Sequence, residues 1–228
     1  MLFRSLDGIN VYPVADGDTG RNLIVSLAPL RDYPLDGTAT IEKLLMSARG
    51  NSGNIASRFF SSFLKISSIA SIAGCVKEGS ESARSAVDAP RNGTMLTLFD
   101  DLASWLEDKA GDFADTGAVI ARLEQSVRST RDMLPRLREA GVADSGALGM
   151  FLFFEGFFQS LSGKDKSFVP VTERFGDLIK IDPGFRETRE NGFCVDMVLR
   201  VNGDAADAAA EFSSIDRKST RLNSSHTI

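Results

Sequence analysis

The stretch from Ser145 to Leu161 carries Met150, Phe151, Leu152, Phe153, Phe154, Phe157 and Phe158, with Glu155 as its single charge. Wound as a helix it is apolar almost all round, and such a helix is stable only when other elements enclose it. The rest of the chain supplies the enclosure. Leu23, Ile24, Leu27 and Leu30 recur at helical spacing, as do Ile41, Leu44, Leu45 and Ala48. So do Ile55, Phe59, Phe60, Phe63, Leu64 and Ile66, then Met95, Leu98, Phe99, Leu102, Trp105 and Leu106, then Val119, Ile120, Leu123, Val127, Leu134 and Leu137. Each set marks one buried face of an amphipathic helix. The pattern predicts an all-α fold, a bundle with residues 145–161 at its centre.

Local signals set the boundaries. Pro34 ends the first stripe near Arg31, and Thr40 is a candidate N-cap for a helix that stops at Gly50-Asn51-Ser52-Gly53. Gly74 and Gly79 are expected to break the chain before a short helix at Ser80–Val87. Asn92 or Gly93 begins the next helix, and Gly111 to Gly117 forms a turn. Pro135 kinks the helix that follows, which ends at Gly141. Beyond Gly163 a Lys/Asp/Pro-rich connector, residues 164–191, reads as a linker. Phe193, Val195, Met197 and Leu199 then alternate as in a half-buried strand, so residues 192–215 read as the truncated start of a next domain. Both ends, residues 1–5 and 216–228, resemble translated sequencing adapter, so a gene fragment is expected.

Composition excludes several classes of function. The net charge is -5 at pH 7 with no basic run, which argues against a nucleic-acid partner. The apolar run Met150–Phe158 is interrupted by Glu155 and too short to span a bilayer, and a cytoplasmic location is expected. Cys75 and Cys194 lack metal or redox spacing and read as structural thiols. The only histidine, His226, lies in the suspect tail. Serine, cysteine and zinc mechanisms that need an imidazole are therefore excluded.

The chemistry concentrates at helix starts. In Asn10-Val11-Tyr12-Pro13-Val14-Ala15-Asp16-Gly17-Asp18-Thr19-Gly20-Arg21-Asn22, two carboxylates flank one glycine before a helix. Asp16 and Asp18 are hard oxygen ligands suited to Mg²⁺, which takes one or two carboxylates and completes its octahedron with water and phosphate oxygens. The same residues in isolation also make an ordinary capped turn. A calcium loop is excluded: counting from Asp16, Arg21 and Leu27 stand where that loop needs glycine and glutamate. Ser47-Ala48-Arg49-Gly50-Asn51-Ser52-Gly53 opens a second helix with small residues, where free backbone N–H groups suit phosphate. It is no Walker loop, since no lysine follows its glycines. Arg91-Asn92-Gly93-Thr94-Met95 and Ala143-Asp144-Ser145-Gly146-Ala147 repeat the pattern at two further helix starts. Alternate starts in a bundle lie at one end, so together they predict a phosphate site there.

These four stretches, at 10–20, 47–53, 92–97 and 140–146, occur in the order seen in the kinase domain of bacterial fatty acid kinase, which the chain resembles over residues 6–163. That domain is homologous to the nucleotide-binding subunit of dihydroxyacetone kinases. The resemblance implies an antiparallel helical barrel with Mg²⁺ and ATP at one end. It implies transfer of the γ-phosphate to a fatty acid carboxylate presented by a lipid-binding, DegV-like partner protein, with a homodimer as a further possibility. By position, Asp16 and Asp18 would act in catalysis as Mg²⁺ ligands, with Asn10 a further contact. Thr19, Asn22, Asn51, Ser52 and Gly53 would hold phosphates, while Thr94, Asp144, Ser145 and Gly146 would line the nucleotide site. Transfer to dihydroxyacetone, or nucleotide binding without turnover, are the alternatives. Ala147 stands where family members commonly have glycine, Ala15 where proline is usual, and Arg21 where a small polar residue is usual. The family's helix before Leu6 is expected to be missing, leaving an apolar seam.

Overall fold

A computed structural model describes residues 2–32, 37–109, 115–163 and 168–186. Every regular element among the described residues is helical, with α-helices α1 (Leu2–Gly8), α2 (Thr19–Leu27), α3 (Gly37–Ser47), α4 (Gly50–Phe63), α5 (Ile72–Arg84), α6 (Met95–Asp108), α7 (Thr116–Met133), α8 (Pro135–Ala140), α9 (Ser145–Leu161) and α10 (Val171–Arg174). The strand expected at 193–201, Cys194 and His226 lie outside the described residues. None of the described helices is long and apolar enough to cross a membrane.

The apolar stripes close into a ring. α4 packs on α2, α3 and α5; α6 packs on α5, α7 and α9; and α9 returns to α2 and α1. An aromatic column fills the middle. Phe59 of α4 stacks on Phe99 of α6 with centroids 3.9 Å apart, and Phe154 of α9 meets Phe59 edge-on at 5.7 Å. Phe60, Phe63, Phe153 and Phe157 extend this cluster through further edge-to-face pairs. The apolar helix is thus enclosed as its composition requires. Met150, Phe151, Phe154 and Phe158 are buried, while Leu152, Phe153 and Phe157 are half-buried against the same core. Glu155, its one charge, is buried and pairs with Arg174 at 2.8 Å.

Several boundaries differ from the sequence reading, each for a physical reason. Thr40 is buried inside α3, three residues past its start, and so does not stand at its N-cap. Pro135 starts a new helix: Leu134 is extended at φ −116° and ψ 129°, which ends α7 and leaves the proline in the first turn of α8. Gly141 ends that helix in the left-handed region at φ 71°. The described chain begins with α1, which contains Leu6; Leu6, Ile9 and Val11 are buried. Residues 168–186, read as linker, fold back onto the barrel, with Phe175 and Leu178 buried.

The largest revision is α5, which runs unbroken through Gly74 and Gly79. Gly79 is there because α5 crosses α4 closely. A Cβ at that position would lie 2.9 Å from the Phe59 carbonyl oxygen and 3.2 Å from its ring. Gly74 faces open space. The two glycines therefore respond oppositely to alanine. Gly79→Ala should destabilise the protein by about 1–3 kcal/mol through overpacking. Gly74→Ala should stabilise it by up to about 1 kcal/mol through helix propensity. Urea unfolding of the two variants checks both signs.

Candidate functional site

The acidic stretch is shaped by a residue well before it. Asp7, in the last turn of α1, accepts hydrogen bonds from the Gly20 N–H (2.7 Å) and the Arg21 N–H (3.3 Å) at the start of α2. It therefore does the work of an N-cap. Asp18 occupies the cap position yet its side chain makes no capping bond. Its carboxylate meets the Asp16 side chain instead. Gly17 turns the chain at φ 63°, and the Arg21 guanidinium donates back to the Gly17 carbonyl at 3.2 Å.

Asn10 is buried, and its Nδ2 donates to Asp16 Oδ1 at 2.6 Å. Asn10 thereby orients that carboxylate. Loss of water around Asp16, and then the charge of Asp18, raise the Asp16 pKa above the ordinary aspartate value. Hydrogen bonds from its own backbone and from Asn10 oppose the rise. The Asp16 and Asp18 side chains also share a hydrogen bond, which raises the Asp16 pKa further, and neither carboxylate pairs with a described Lys or Arg. The described residues hold no cluster of three acidic, Cys or His side chains that would make an all-protein cage. A Mg²⁺ site needs none when phosphate oxygens supply the remaining ligands.

The start of α4 sits directly against α2. Gly50 has no room for a Cβ beside Asn22 Nδ2, and Gly53 has none beside Ser26 Oγ. Ser26 Oγ in turn accepts from the Arg49 N–H at 2.9 Å, holding the residue before the helix. Arg49 offers no side-chain cap, and Asn51 and Ser52 lie half-buried in the first turn of α4. Thr19 is buried at the adjoining start of α2. Thr19, Asn22, Asn51, Ser52 and Gly53 are therefore brought to one place.

The second pair of helix starts is joined by Asp144. Its carboxylate caps α9 by accepting from the Ala147 N–H at 2.8 Å, and the Met95 and Gly146 backbone amides also donate to it. Met95 begins α6, so one buried side chain ties two helix starts together. The Asp144 N–H donates to Thr130 Oγ1 of α7 at 2.9 Å. Burial pushes the Asp144 pKa up to about 6, against the opposing pull of those backbone donors. Thr94 caps α6, accepting from the Leu96 N–H at 3.3 Å and donating to the Arg91 carbonyl at 2.9 Å. Ser145 is buried, and the Ala147 methyl is enclosed by the core.

The two pairs meet through Tyr12 and Asn54. Burial first raises the Tyr12 pKa; Arg91 lowers it and Asp144 raises it, which places this ring near both. Asn54 of α4 donates to the Ala86 carbonyl at 3.0 Å, tethering the loop that leads to Thr94. Gly149 in the second turn of α9 lies against Leu23 of α2, so the paired starts of α2 and α4 adjoin those of α6 and α9. Sequence reasoning missed Asp7, Ser26 and Tyr12. Their partners lie 13 or more residues away, or in another helix, and no local pattern marks them.

The DAK2 domain pattern matches residues 13–159, which takes in all four helix starts. Protein YloV of Bacillus subtilis is 33% identical over 87% of this chain. An uncharacterized protein of Staphylococcus haemolyticus is 32% identical over 87%, and one of Staphylococcus aureus is 36% identical over 86%. The chain spans 40% of the length of each of these relatives.

Two outcomes follow from the capping geometry. Replacing Asp7 by alanine removes the α2 cap and should cost about 1 kcal/mol, read from urea unfolding. Because the folded pKa of Asp144 lies above its unfolded value, its contribution is complete below about pH 4 and is lost as pH rises through about 6. The loss is about 3 kcal/mol for a shift of roughly two units. Asp144→Asn keeps an acceptor for the Ala147 N–H but cannot ionise. Relative to this variant, the wild type should lose about that much stability between pH 4 and pH 7. Parallel denaturation curves for the two proteins across this range would refute the assignment.

Proposed function

Because the chain belongs to the DAK2 domain family, we propose that its barrel is the Mg²⁺- and ATP-binding kinase module of a longer protein, transferring the γ-phosphate to a fatty acid carboxylate. The acceptor is presented by a lipid-binding, DegV-like partner. One observation carries the nucleotide reading: Asp16 and Asp18 stand free of capping duty where four helix starts gather, because Asp7 caps α2 in place of Asp18.

Asp16 and Asp18 bind the metal, with Asn10 orienting Asp16 through its amide. Bound Mg²⁺ neutralises phosphate charge, a task that falls to lysine in a Walker loop. The α4 amides and the side chains of Asn51 and Ser52 hold the phosphates, with Thr19 and Asn22 alongside. Thr94 and Asp144 to Gly146 line the nucleotide end. Phosphoryl transfer depends on positioning and charge neutralisation more than on a protein base. A carboxylate acceptor is ionised at neutral pH, so none of these residues has to remove a proton. The chain beyond Gly163 supports the fatty acid substrate, because a stand-alone nucleotide-binding subunit like that of dihydroxyacetone kinases is expected to end after its last helix. The greater length of the relatives supports a kinase module that works beside further domains.

Calorimetry with ADP and Mg²⁺ tests the site. Asp16→Asn and Asp18→Asn should each weaken Mg²⁺-dependent affinity at least tenfold, about 1.4 kcal/mol. Unchanged affinity and unchanged Mg²⁺ dependence in both variants would sink the metal assignment. ATP consumption that rises only with a fatty-acid-loaded partner is the outcome expected for the substrate. Turnover with dihydroxyacetone instead would select the ketone as acceptor, and binding without any turnover would select an interaction module.

A further inference from the structure

Residues 168–186 are attached to the barrel by more than proximity. Phe175 is buried edge-on against Phe151 of α9 at 5.2 Å, with the Arg128 guanidinium of α7 over its other side at 5.1 Å. Arg128 also donates to the Arg174 carbonyl and pairs with Glu124 and Asp177. Arg174 lies over the Phe151 ring at 5.3 Å and reaches the buried Glu155 carboxylate at 2.8 Å. Burial raises the Glu155 pKa, and Arg174 opposes that rise. Gly176 leaves no space for a Cβ against the Thr172 carbonyl, so the segment makes a tight turn here.

The turn delivers two backbone bonds to one place. The Leu178 carbonyl accepts from the Ala143 N–H at 3.0 Å, and the Asp182 N–H donates to the Ala140 carbonyl at 2.8 Å. These bonds bracket residues 140–143, the short loop between α8 and Asp144. Thr130 of α7 accepts from the neighbouring Asp144 N–H.

We propose that residues 168–186 are a strap that sets the position of Asp144, with Leu178 as its positioning residue, and so couples the chain leaving the barrel to the candidate nucleotide end. Leu178 is buried and fixes the register at which its carbonyl meets Ala143. Asp144 in turn fixes the starts of α6 and α9. A displacement of residues 168–186 is thereby transmitted to the starts of α6 and α9. The coupling to nucleotide rests on the reading given above; the hold on Asp144 does not.

Hydrogen exchange at the Ala143 amide and calorimetry with ADP and Mg²⁺ on the full chain test this together. Leu178→Ala should speed Ala143 exchange at least tenfold and weaken nucleotide binding at least fivefold. Leu178→Val, a milder change for use if the alanine variant fails to fold, should move both in the same direction, and Leu178→Met should restore both. Val76→Ala is the control, a fully buried change in α5. Matched to the strap variant in Tm loss, it should leave both readouts at the wild-type values. The strap is overturned if the Leu178 variants leave Ala143 exchange unchanged, or if Val76→Ala accelerates it equally. If exchange responds and the wild type binds no nucleotide, the strap stands and the nucleotide reading fails.

Discussion

A buried carboxylate must find hydrogen-bond donors, and for Asp144 the donors are backbone amides at two helix starts. That requirement organises half of the candidate site. A carboxylate out of water can stay charged at neutral pH only while several N–H groups face it. Helix N-termini carry such groups without partners of their own. Satisfying both needs at one point forces α6 and α9 to begin side by side, and Thr130 and the strap then hold the loop before Asp144 in place.

The other half is organised by the lack of side chains. Gly50 and Gly53 let α4 lie directly on Asn22 and Ser26 of α2, so two helix starts come together. Capping is divided unevenly across the four starts. Asp7, Thr94 and Asp144 are committed to α2, α6 and α9, while α4 has no side-chain cap. Asp16 and Asp18 belong to neither role. Where a structural duty has been moved to a distant residue, the nearby carboxylate becomes available for chemistry.

Legibility followed the range of the interaction. The bounds of the apolar helix at 145–161 were read correctly because its composition and its Asp144 cap are both local. The candidate stretches at helix starts were legible for the same reason, since glycine beside Ser, Thr, Asn or Asp marks a cap whatever the fold. Gly79 was misread as a break because its reason is a neighbouring helix, the Phe59 carbonyl 2.9 Å from where a Cβ would stand. Phe175 and Leu178 were passed over as linker because two buried residues in a turn show no periodicity. Asp7 went unread because its partner, the Gly20 N–H, lies 13 residues further on.

By itself, the sequence determined that this chain is a bundle of amphipathic helices packed with an apolar one, and that its glycine- and hydroxyl-rich stretches lie at helix starts. Helical periodicity and capping are properties of neighbouring residues, so no further information is needed to read them. Only the tertiary structure decided which starts meet, which carboxylates cap and which are left free, and that the segment after α9 reaches back to Asp144. Those outcomes depend on close approach between helices and on competition for a few backbone donors, and both are settled only when the chain is packed.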